Sequence, residues 1–153
     1  MPAEIVFTRA GSVAEVIERL IRASTGRIDA ALYRLNNPRL AHALEDAARR
    51  GVRVRLLLDC NKFEESRATR ELLSNGRIPF RVLYGRQGAG SKMHHKFAIF
   101  DGHTALTGSY NWTIESEDQN YENLLIVRER EPLETYQREF EALWAEALEA
   151  PSL

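Results

Sequence analysis

The sequence predicts an α/β fold: a mixed β-sheet sandwiched between helices, forming a single domain over residues 1–153. Three observations predict it. The apolar period switches repeatedly between strand-like runs and helical stripes, so strands are separated by helices. The run Val52–Asp59 alternates at first and then becomes wholly apolar, as a strand covered on both faces does. With 44% apolar and 28% charged residues, 153 residues suffice for one ordinary core.

Taken in order, Glu4–Phe7 reads as a short strand. Ser12 with Glu15 forms a capping box ahead of a helix whose apolar stripe is Val13, Val16, Ile17, Leu20 and Ile21. Arg27–Leu35 is a buried strand. Asn37-Pro38 is a cap followed by proline at the first helical position, and Gly51 ends that helix after Arg50. Val52–Asp59 is the central strand. A weaker helix covers Glu64–Ser74 and stops at Asn75-Gly76. Phe80–Tyr84 is a strand. Gly85–Lys92 is a loop whose glycine spacing is not that of a phosphate-binding loop and which leads into a strand. A hairpin follows from Met93 to Trp112, then a strand over Glu122–Val127. A last helix starts near Pro132 with the stripe Leu133, Tyr136, Phe140, Leu143 and Trp144.

Composition narrows the function. The net charge is -1, so no global basic field draws in nucleic acid and any polyanion site must be local. Cys60 is the single cysteine, which rules out an internal disulfide and suits a reducing compartment. The segment MPAEIVFTRAG has no basic start and no long apolar core, so no signal peptide is expected. No apolar run approaches the roughly 20 residues of a membrane span. The expected address is the cytoplasm.

The hairpin carries the chemistry. Side chains alternate along a strand, so His94 and Lys96 share one face and His95, Phe97 and Ile99 share the other. With Gly102-His103 as a two-residue turn, His94 lies opposite Asn111 and Lys96 opposite Ser109. An imidazole, an ammonium, a hydroxyl and an amide then converge, which suits a phosphate oxygen. A histidine that titrates near neutrality serves as nucleophile or proton donor. A metal site is not expected: His94 and His95 point to opposite faces, and no cysteine cluster or H-E-x-x-H is present.

The pattern His94-x-Lys96-x4-Asp101-x6-Gly108-Ser109-x-Asn111 resembles the HKD signature of the phospholipase D superfamily at every position. The strand–helix order upstream is similar to that of its small single-motif members, the bacterial endonucleases and their mitochondrial-surface relatives. The membrane anchor of the mitochondrial relatives is not expected here. The resemblance implies a phospholipase D-like fold. It implies that His94 is the nucleophile, that Lys96 binds phosphate and that Ser109 and Asn111 complete the phosphate pocket. Asp101 would be structural, for example through a salt bridge, and Gly108 would permit close backbone approach. Glu122 would accept a hydrogen bond from His94 and fix its tautomer, as a carboxylate behind an imidazole does.

Superfamily chemistry uses two histidines, and this chain has one copy of the motif. His42 and His103 lack its neighbours, with His42 expected on a helix surface. The resemblance therefore implies a homodimer with a shared site, no cofactor and no metal. The expected activity is a metal-independent phosphodiesterase, a nuclease acting on DNA or RNA through a phosphohistidine. A lipid phosphodiesterase and a non-catalytic nucleic-acid-binding module are the alternatives. Arg34, Lys62, Arg86 and Lys92 are candidates to line the approach. Tyr110 and Trp112 are candidates for base stacking, with core packing the leading role for Trp112.

Overall fold

Helix starts follow from side chains able to accept the first free backbone N–H groups. Ser12 caps α1 (Val13–Ala23), its hydroxyl accepting from Glu15 N at 3.0 Å. Only this half of the capping box forms among the described residues. The second carboxylate at this end is Glu117, which accepts from Ala14 N at 2.9 Å and from the Ser12 hydroxyl at 2.5 Å. Asn37 caps α2 (Pro38–Arg49), accepting from Arg39 N at 3.0 Å. A computed structural model describes residues 2–149.

The sheet has eight strands among those residues: β1 (Glu4–Phe7), β2 (Arg27–Leu32), β3 (Arg53–Asp59), β4 (Phe80–Leu83), β5 (Lys96–Phe100), β6 (Thr104–Gly108), β7 (Asn123–Val127) and the two-residue β8 (Leu148–Glu149). Their spatial order is β1-β7-β6-β5-β2-β3-β4-β8. The pairs β2–β3 and β3–β4 are parallel and all others antiparallel, so the sheet is mixed. On one face, Ile17, Ile21, Leu40 and Leu44 of α1 and α2 pack with Ala30, Leu32, Leu56 and Leu58. On the other, Leu133 and Phe140 of α6 (Arg130–Glu146) pack with Ala31, Leu57, Phe97 and Ile99. Cover on both faces is why β2 is apolar over Ala30–Leu32 and β3 over Leu56–Leu58.

Three expectations are corrected. The strand starting at Arg27 leaves the sheet after Leu32, although Tyr33 N still donates to His95 O at 2.8 Å. The helix expected over 64–74 is two short helices, α3 (Cys60–Glu65) and α4 (Arg67–Leu72). Asp59 and Ser66 each supply a capping oxygen, and the second cap splits the segment. The third concerns the hairpin. Phe100 pairs with Thr104 and Ala98 with Leu106, so three residues, not two, lie between the strands. Asp101 and Gly102 have φ of 54° and 70°, the positive values an Asp-Gly turn adopts, and His103 is the extra residue. Continued outward, this register sets Lys96 against Gly108, so the facing pairs Lys96–Ser109 and His94–Asn111 do not form.

Candidate active site

The carboxyl ends of β2, β3 and β6 and the amino ends of β5 and β7 meet at one end of the sheet. Beyond the ends of parallel strands, loops diverge and leave room for a ligand. His94 sits there, just before β5. Its ring meets the buried ring of Tyr33 edge-on, with centroids 4.5 Å apart. Lys96 Nζ lies 3.4 Å from His94 Nε2 and donates to His94 O at 3.1 Å. It also lies 5.4 Å from the Tyr33 ring centre. Burial and the nearby charges of Lys96 and Lys92 hold the His94 imidazole below its ordinary pKa, against the opposing pull of Asp59. The ring is therefore neutral at neutral pH, the form with a free nitrogen lone pair. Burial likewise lowers Lys96, with Glu122 pulling the other way.

Ser109, Asn111 and Glu122 form a second group beside this pair. The Ser109 hydroxyl donates to Glu122 Oε1 at 2.6 Å and accepts from Asn123 N at 3.1 Å. Glu122 also accepts from Ser116 Oγ at 2.8 Å and Asn120 Nδ2 at 3.1 Å. This corrects the expectation for Glu122 within one chain: among the described residues its carboxylate receives hydroxyl and amide donors, not the His94 ring. The Asn111 backbone N–H donates to the same Ser116 hydroxyl at 3.2 Å, while its buried side-chain Oδ1 has no partner among the described residues. At Gly108 a Cβ would lie 2.2 Å from Asn123 O, so β6 and β7 approach more closely than any side chain allows.

Asp101 is at the opposite end of the sheet. Burial opposes its ionisation, but the N–H groups of Arg27, Thr25 and Gly26, at 2.7–3.0 Å, hold its carboxyl below the ordinary range. It braces the turn and does not touch the site. The His103 imidazole lies 3.9 Å from it.

A family model described as "Cardiolipin synthase, PLD-like domain" matches residues 17–144. A curated protein named mitochondrial cardiolipin hydrolase from Xenopus tropicalis is 36% identical over 127 residues, which is 83% of this chain and 58% of that protein. The chain belongs to the phospholipase D superfamily. It spans about half the length of the curated relatives it matches. The fold agrees. Nuc from Salmonella typhimurium, described as a phospholipase D family member, has a TM-score of 0.88 at 24% identity over 99% of both chains. NucT from Helicobacter pylori has 0.85 at 18% identity, over 97% of this chain and 100% of its own.

In this superfamily chain the remaining histidines are elsewhere. His95 rests against Phe97, with ring centroids 5.3 Å apart, and reaches Glu139 at 3.9 Å. His42 is exposed on α2 and His103 lies at the hairpin turn. Tyr110 and Trp112 are fully buried, which removes both as stacking platforms. Sequence reasoning missed Tyr33, Asp59 and Ser116. Asp59 is fully buried and accepts from Met93 N at 2.9 Å, fixing the residue before His94. The available signal was position: Tyr33 and Asp59 sit at the carboxyl ends of neighbouring parallel strands. Among the described residues no helix is long and apolar enough to cross a membrane.

Proposed function

We propose that the chain is a metal-independent phosphodiesterase that cleaves DNA or RNA through a covalent phosphohistidine, at a site shared by two copies. One observation carries this reading: a neutral imidazole with an ammonium 3.4 Å from its ring nitrogen, at the open end of the sheet. The ammonium neutralises a non-bridging phosphate oxygen, and the imidazole lone pair attacks phosphorus. A P–N bond forms, the P–O bond to the leaving group breaks, and the leaving oxygen takes a proton from a second imidazole, which enters the step protonated because the charge of the bound phosphate favours its cationic form. That imidazole then removes a proton from water, whose oxygen attacks phosphorus, breaking the P–N bond and restoring His94. Ser109 and Asn111 are assigned to the phosphate oxygens.

The other imidazole near His94, that of His95, rests against Phe97, so the reading takes the second one from a two-fold-related copy. Glu122 accepts three donors in its own chain. A carboxylate has about four acceptor positions, and the proposal gives the fourth to the imidazole of the second copy. A cytoplasmic address and a single domain over residues 1–153 belong to the same proposal; the free thiol of Cys60 supports the former.

The test is incubation of labelled single- and double-stranded DNA and RNA in EDTA, with His94→Asn as control. Cleavage by the native protein alone is expected, and binding without turnover contradicts the reading. A lipid diester is the second reading. It is favoured by the name of the relatives and by exposed Phe7 and Tyr121 beside Glu122. Turnover of cardiolipin vesicles without nucleic-acid cleavage would select it.

A further inference from the structure

Tyr33, whose ring meets His94, also borders a cavity of about 230 Å³. Tyr33, Arg34, Asn36, Lys62, Glu65 and Ser66 border it. The mechanism above uses none of them. We propose that this cavity is a second anion site that holds the phosphate next to the scissile one along a nucleic-acid strand. The proposal rests on the nuclease reading and deepens it, because a site that grips two consecutive phosphates selects a polymer over an isolated diester.

Tyr33 joins the two sites. Lys96 Nζ lies 5.4 Å from its ring centre and Lys62 Nζ 5.8 Å from it. The ammonium assigned to the scissile phosphate and the ammonium of the cavity thus both lie close to one ring. The Tyr33 hydroxyl has no hydrogen-bond partner among the described residues, although the residue is only 8% exposed. It is a hydroxyl free to donate near a cation, a pair that a bound anion can accept from.

The two cations of the cavity are only loosely neutralised. Lys62 meets Glu65 at 3.2 Å and Arg34 meets Glu115 at 3.5 Å, and all four side chains are at least a third exposed. Such exposed pairs contribute about 0–1 kcal/mol, so a phosphate displaces the carboxylates at small cost. Asn36 is already committed, donating to Glu115 at 2.9 Å and accepting from Ile114 N at 2.9 Å. Its role is to hold the Glu115 side chain to one side. On the other flank of His94, Arg86 and Lys92 border a cavity of about 470 Å³ together with both His94 and His95. Glu139 and Glu146 also line that second cavity and balance Arg86 and Lys92, whereas Glu65 alone faces Arg34 and Lys62 in the first, so the second phosphate is assigned to the Tyr33 side.

The experiment compares the native protein with Lys62→Ala/Arg34→Ala and with Tyr33→Phe on three substrates. These are bis(p-nitrophenyl) phosphate, a single-stranded oligonucleotide and cardiolipin vesicles. In the double variant the oligonucleotide KM should rise about tenfold, and the slope of log KM against log salt should fall by about 1 per cation removed. Turnover of the chromogenic diester should be unchanged, which also establishes that the variant is folded. Tyr33→Phe should raise the oligonucleotide KM less. An unaltered KM and salt slope overturns the second site while leaving the nuclease reading intact. Equal loss on the chromogenic diester overturns it too, by making these residues part of the catalytic pair's support. An equal KM rise on vesicles overturns the assignment to a nucleic-acid strand. Failure of the native protein to cleave any nucleic acid removes the underlying reading, and this inference with it.

Discussion

The two ends of the β5–β6 hairpin handle charge in opposite ways. At the turn, the Asp101 carboxylate is met by three backbone N–H groups and holds down the start of β2. At the open end, His94 and Lys96 crowd two basic groups together, both below their ordinary pKa, with no carboxylate hydrogen-bonded to either. Asn111 Oδ1 is left without a partner in the same region. A satisfied buried charge stabilises a fold, whereas crowded and under-satisfied groups are a cost that a bound anion relieves. The comparison teaches that one hairpin separates stability from reactivity by about its own length.

The largest effect that tests this contrast is at His94. His94→Asn should reduce diester hydrolysis to background while leaving thermal stability within about 0.5 kcal/mol, as for an exposed side chain. A variant that unfolds instead breaks the contrast. Next, Lys96→Met should cost about 10²–10³ in kcat, as removal of a preorganised charge from a transition state does. In the same variant the His94 imidazole should titrate at higher pH by NMR, because the Lys96 charge is one of the causes that hold it down.

At the turn end the signs reverse. Asp101→Asn keeps a residue type that tolerates positive φ and removes only the charge. It should lower stability by about 1.5–3 kcal/mol, as for hydrogen bonds to a charged group, with turnover per folded molecule unchanged. The Asp101 carboxyl is held below its ordinary pKa in the fold, so its contribution is complete above that ordinary value. It is lost as the pH falls through the lowered folded value. The variant should therefore lose its excess instability in acid, seen as stability curves that converge at low pH. Gly108 is the last residue of β6, at the open end. Gly108→Ala drives a Cβ to 2.2 Å from Asn123 O and should cost about 1–3 kcal/mol. Unlike Asp101→Asn it should also slow turnover, because Ser109 and Glu122 move with the strand. The smallest expected effect is none: EDTA should leave the rate unchanged, and a loss restored by added metal sinks the metal-independent reading.

What was legible in the sequence is what depends on near neighbours along the chain. Ser12 and Asn37 announce their helices because a cap acts on an N–H two or three residues away. The stripes of α1 and α6, and the split of His94 from His95, follow from periods of 3.6 and 2. The spacing from His94 to Asn111 was enough to indicate the family. Tertiary structure decided the rest. A single extra turn residue, His103, leaves every local alternation intact yet shifts each cross-strand pair by one, so the expected facing of Lys96 and Ser109 was lost. The partners of Glu122 come from the loop around Ser116 and Asn120, and those of His94 from the ends of β2 and β3. Residues 33, 59 and 94 meet only because helical crossovers return parallel strands to the same edge of the sheet. No short-range pattern encodes that meeting, since the contacts exist only once the strand order is set.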